Sequence, residues 1–115
     1  MIYNNIEEFI SLKPAYYRFL KSISLSRAVG PGGCGRFDVV ITLSKVSGEA
    51  IEDLRLRCTG AFDISVKDIE SMSGLQVDIE TVKDRQIEGA SYRVIEQEEN
   101  AFSFFCDEFF VELIK

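Results

Sequence analysis

Histidine is missing from all 115 residues, which removes the commonest general base and the partner that a cysteine nucleophile needs. Cysteine is scarce and odd in number: Cys34, Cys58 and Cys106 lie far apart, without the paired spacing of a zinc site. Positive charge is in deficit, with thirteen Lys and Arg against nineteen Asp and Glu and a net charge of -6. That balance repels phosphate backbones and anionic lipid surfaces, so neither nucleic acid nor a membrane is an expected partner and a basic protein is favoured. Acidity of this size also keeps many small domains soluble, which is the plainer account of it. Long apolar runs are absent too. Met1 to Glu8 holds no basic region and no extended apolar stretch, so neither a signal peptide nor an anchor is expected, and the chain is expected in the cytoplasm.

What the chain does contain is alternation. Phe37, Val39, Ile41 and Leu43 recur at every second position, as do Leu54, Leu56 and Cys58, then Leu75, Val77 and Ile79, then Tyr92 and Val94, then Phe102, Phe104 and Cys106. Period two means antiparallel strands with one buried and one wet face. Phe37, Leu56 and Phe104 are expected in the core, and Cys58 and Cys106 read as small buried hydrophobes. Val40, on the second face of its strand, marks that strand as central. Ile23 and Leu25 alternate with serines in an earlier strand beginning at Phe19. Asn5 followed by Glu8 has the form of a helix cap, with Ile6, Phe9 and Ile10 on one face and Pro14 ending the segment. Turns are expected at Ser47-Gly48 and Glu99-Asn100, and a bulge at Gly60. The expected fold is a single α+β domain over residues 1-115, mostly β. Its antiparallel meander sheet has six to eight strands, with a short N-terminal helix.

Gly30-Pro31-Gly32-Gly33-Cys34-Gly35 invites a phosphate-loop reading, but a phosphate loop leads into a helix and here a strand follows from Arg36. A hairpin connection accounts for it better. Carboxylate pairs are numerous, at Glu7/Glu8, Asp78/Glu80, Glu96/Glu98/Glu99 and Asp107/Glu108, and all fall on expected wet faces or turn tips. General acid-base catalysis wants one carboxyl in an apolar pocket instead. No catalytic residue, metal ligand or cofactor site is therefore expected. Asp78 and Glu80 are the acids with a second role open to them, because alternation puts both on the outward face of one strand. With Asp84 and Glu96 nearby they form a candidate docking stripe for a cationic partner. The plainer account is a solvated sheet countered by Arg55, Arg57 and Arg93. Phe102, Phe104, Phe105, Phe109 and Phe110 exceed what one buried face absorbs, so the helix with Phe9 and Ile10 is expected to pack there. The alternative is an exposed aromatic patch at a homodimer or partner interface.

Three stretches together resemble small bacterial immunity-type proteins of polymorphic-toxin and contact-dependent growth-inhibition systems. They are Leu54 to Ile64, then Val77-Asp-Ile with Lys83 to Val94, then Phe102 to Phe109. The resemblance lies in strand rhythm over about half the chain and carries no catalytic motif. It implies a non-enzymatic protein that binds and blocks a toxin domain. A basic, nuclease-like toxin would suit an acidic inhibitor that mimics nucleic-acid charge. The rival from another class is a small-ligand-binding or accessory domain whose sheet encloses an apolar pocket; a filled core would favour protein binding.

Overall fold

A computed structural model describes residues 1–67, 74–83, 87–98 and 100–114. After a two-residue strand β1 (Ile2–Tyr3), helix α1 (Ile6–Ser11) starts at an Asn5 cap. The Asn5 side chain accepts the Glu8 backbone N–H at 2.9 Å, and its amide donates to Glu8 Oε1 at 2.8 Å, so cap and first turn hold each other. Lys13, at φ 55°, and a 3-10 turn over Pro14–Tyr16 then redirect the chain into β2 (Phe19–Ser26). The glycine-rich segment forms a small separate hairpin, β3 (Val29–Gly30) with β4 (Gly33–Cys34), and carries no helix.

β5 (Phe37–Ser47) and β6 (Ala50–Val66) are joined at Gly48 and form the spine of an eight-stranded antiparallel sheet. β7 (Val77–Thr81), β8 (Tyr92–Glu96), β9 (Phe102–Cys106) and β10 (Glu108–Ile114) complete it. The first part of β6 pairs with β5 on one edge and β10 on the other, and its last part pairs with β9. β9 and β10 thus run as one interrupted strand beside β6. β2 flanks β5, β1 flanks β10, and β8 then β7 extend outward from β9.

The seventeen residues of β6 would span roughly 55 Å if straight, but the whole molecule is 49 Å long. The strand bends at Gly60, whose φ is 66°. Opposite it, Asp107 interrupts the partner strand and donates its N–H to Thr59 O at 3.0 Å. A Cβ at position 60 would lie 3.1 Å from the Asp107 Cβ, so a glycine is needed both for its conformation and for the close approach.

Alternation puts one side chain per strand on the inner face of each cross-strand row. Ile23, Ile41, Leu56, Val111 and Tyr3 line one such row across five strands, and Ile79, Val94 and Phe104 line another beyond the bend. The curled sheet wraps these rows into one core, closed by Phe9 of α1, which meets the Phe109 ring edge-on at 6.2 Å. Cys58 and Cys106 are both fully buried there, as their positions implied.

Some expectations need correcting. Ile10 is 62% exposed, while Phe9 is buried and Ile6 packs partly buried against the core. Leu25 is also exposed, at the outer end of an edge strand. Phe37 is half-buried at the rim, with the Arg27 guanidinium 4.6 Å from its ring centroid. Leu75 is buried but precedes β7: its N–H donates to Arg18 O at 2.9 Å, fastening the loop before β7 to the start of β2. Glu99 lies outside the described residues, while Asn100 takes the left-handed conformation expected of it, at φ 54°. Replacing Leu56 or Phe104 by Ala should cost about 2 to 5 kcal/mol, read from denaturant midpoints. Phe37→Ala, on the rim, should cost clearly less; equal losses would contradict this placement.

Candidate functional site

Four acids were the leading candidates for a docking stripe. Asp78 and Glu80 alternate with buried Val77 and Ile79, so both occupy the outer face of β7, opposite Ile95 and Arg93 respectively. Glu80 Oε1 lies 3.6 Å from Arg93 Nη1. Asp84 lies outside the described residues. Glu96 does not belong to the stripe: it is fully buried. It shares the parity of Tyr92 and Val94, so the alternation itself turns it inward. There its carboxylate serves the backbone: Oε1 accepts Gln76 N at 3.2 Å and Glu98 N at 2.8 Å, and Oε2 accepts Ala101 N at 3.0 Å. One side chain thereby ties the start of β7 to the turn between β8 and β9, and these hydrogen bonds satisfy its oxygens where solvent does not reach.

The outer face beyond the bend is aromatic as well as charged. Glu80, Arg93, Phe105 and Phe62 form one cross-strand row. The Phe62 and Phe105 rings stack at 5.6 Å, and the Arg36 guanidinium lies 4.2 Å from the Phe62 centroid while donating to Gly89 O at 2.9 Å. Arginines, and not the helix, cover the second apolar face of the phenylalanine hairpin.

A second surface, missed by sequence reasoning, lies on the outer face of the other half. Ser22, Thr42, Arg55, Glu112 and Ile2 form one row across five strands, and Ser24, Val40, Arg57 and Phe110 form the next. These nine residues line a concavity of about 430 Å³. Arg55 Nη1 is 3.7 Å from Glu112 Oε1, and the Arg57 guanidinium is 5.1 Å from the Phe110 centroid. Alternation with Leu54, Leu56 and Cys58 already placed both arginines outward together. Which strands flank them is decided by long-range pairing, and that information is not local. At the end of this face Asp53 accepts from Lys21 Nζ at 2.8 Å and from Ser44 Oγ at 2.7 Å, and these two donors, Lys21 foremost, hold its carboxyl below the ordinary value.

Burial pushes the Cys58 thiol well above its usual range, reinforced by neighbouring Cys106. Burial likewise raises the Tyr17 phenol to about 12, helped by its 3.1 Å hydrogen bond to Glu52. Among the described residues no cluster of His, Cys, Asp or Glu could hold a metal ion. No described helix is long and apolar enough to cross a membrane. The buried side chains form one core cluster, and the concavity lies on the sheet face away from it.

Compared with known protein families, residues 1–112 match immunity protein PIM8. The chain belongs to the PIM8 immunity-protein family. No curated protein and no solved structure matches it. Membership in PIM8 accords with the immunity-type resemblance of the three strand-rich stretches and extends it over the N-terminal half.

Two substitutions separate the acids of this PIM8 member. Glu96→Ala strands three backbone donors and should cost about 2 to 4 kcal/mol, whereas Asp78→Ala on the outer face should cost within about 0.5 kcal/mol; matched urea titrations check the contrast. Asp53 has a depressed folded pKa, so its contribution is present above the unfolded value and is lost as pH falls through the folded one. Asp53→Asn should therefore destabilise at about pH 7 and be nearly neutral by about pH 2, as thermal melts at the two pH values will show.

Proposed function

We propose that this chain neutralises a cognate toxin domain by binding it, without performing chemistry of its own. Membership in an immunity-protein family over nearly the whole chain is the observation that carries this reading. Several features support it. The thiols are Cys58 and Cys106, both buried, with the Cys58 pKa raised, and the exposed Cys34; the sequence holds no histidine to activate any of them. The acids that a hydrolase would need are paired with cations, turned to the backbone or spread over wet faces.

The toxin is basic and nuclease-like in this proposal, because a net charge of -6 draws in a domain that evolved to hold polyanions. The encounter takes place in the cytoplasm, and Asp78 and Glu80, on the outer face of β7, act as steering charges. Exposed charges of this kind act chiefly on association rate.

The test is growth rescue and binding kinetics with the toxin domain encoded by the adjacent gene. The wild-type chain should restore growth to cells expressing the toxin. Asp78→Lys with Glu80→Lys should slow association roughly tenfold at low salt with dissociation little changed and the melting temperature preserved. A wild-type chain that neither bound the toxin nor protected cells would refute the function itself.

A further inference from the structure

Two guanidiniums lining one concavity are out of character for a chain with six more acids than bases. Arg55 and Arg57 sit side by side on the outer face of β6, flanked by β5 and β10. Glu112 is the one carboxylate lining the concavity, and it approaches Arg55 only at 3.7 Å. Arg57 has no carboxylate within 4 Å among the described residues; its partner is the Phe110 ring. Opposite stand the hydroxyls of Ser22, Ser24 and Thr42, none of which makes a side-chain hydrogen bond within the protein among the described residues. Thr42, in the middle of this face, is 7% exposed, while the Arg55 side chain beside it keeps 49% of its surface open to a partner.

We propose that this recess is the anchor site for the toxin domain, and that its occupant is a projecting toxin segment bearing a carboxylate side chain. The chemistry of the lining selects that occupant. A guanidinium presents a planar fork that matches a carboxylate bidentately. Arg57 is pre-ordered by its ring contact, so less side-chain freedom is lost when the fork is used. The serine and threonine hydroxyls supply further donors to the same oxygens, and Phe110 with Val40 offers apolar contact to the stem of the entering residue. Two positive charges against one negative favour an anionic guest, and the surrounding acid excess disfavours an unselective one. Aromatic and arginine side chains at the centre of a recess are also the residue types that carry most of the energy at protein interfaces.

This assignment rests on the toxin-binding function proposed above, and it divides the labour between two surfaces. Asp78 and Glu80 govern how fast a basic domain arrives; the recess governs how long it stays. Charge reversal, Arg55→Glu with Arg57→Glu, should raise the dissociation rate from the adjacent-gene toxin domain roughly tenfold or more. Arg57→Lys, which keeps the charge and loses the fork, should recover part of the loss. Ser24→Trp, which fills the recess from an edge strand without altering charge, should weaken binding independently if the double reversal unfolds the sheet. If wild-type chain binds the toxin while well-folded Arg55→Glu/Arg57→Glu and Ser24→Trp variants dissociate as slowly as it does, the recess is not the anchor and the function still stands. If wild-type chain does not bind the toxin at all, the function falls and the assignment falls with it.

Discussion

Two long strands bend together at one point, and the remaining architecture follows from that bend. β6 turns at Gly60, where a positive φ and the close approach of Asp107 both exclude a side chain, and the β9–β10 strand breaks beside it at Asp107. A straight pair of this length would present a flat ribbon with an uncovered apolar face. Bent, the same ribbon carries β5, β2 and β1 on one half and β8 and β7 on the other, so the inner faces of both halves contribute to a single core. The bend also leaves two distinct outer faces: one acidic and aromatic around Glu80 and Phe105, the other recessed around Arg55 and Arg57.

Parity along the strands determines what each carboxylate can do. Asp78 and Glu80 fall between buried Val77 and Ile79 and so reach solvent, where charge influences encounters more than stability. Glu96 falls on the parity of Val94 and is carried into the interior, where three backbone amides meet it. The same residue type thus faces solvent in one position and staples two connections in another. Within a single row, Arg93 answers Glu80 on one side and the Phe105 ring on the other, at 3.6 Å and 6.0 Å.

Arginine plays a second part on the outer faces. Phe62, Phe105 and Phe110 leave large rings on the side of the sheet that faces away from the core. Arg36, Arg93 and Arg57 lie over them, giving the rings a polar cover that an additional helix would otherwise have to provide. A sheet of this kind needs only one short helix, and that helix needs only Phe9 on the inner face. The outer surface remains accessible, as befits a protein whose family membership implies a partner.

Local chemistry accounts for a large part of this structure. Period-two alternation predicted β8 and β9 and the central parts of the longer β5 and β6, and assigned Leu56, Val94 and Phe104 to the core, because a strand alternates regardless of its neighbours. The Asn5 cap, the glycine at the bend and the left-handed Asn100 follow from equally local rules. Alternation also contains the inward turn of Glu96, against what its charge alone implies, and three backbone donors converge on it there. Pairing between distant segments supplied the rest. That β10 returns beside the first half of β6, and β2 beside β5, brings Ser22, Thr42, Arg55 and Glu112 into one row from segments up to ninety residues apart in sequence, Ser22 to Glu112. No local pattern encodes such a row, because its members meet only when the sheet closes, and the recess exists only where those strands curl together.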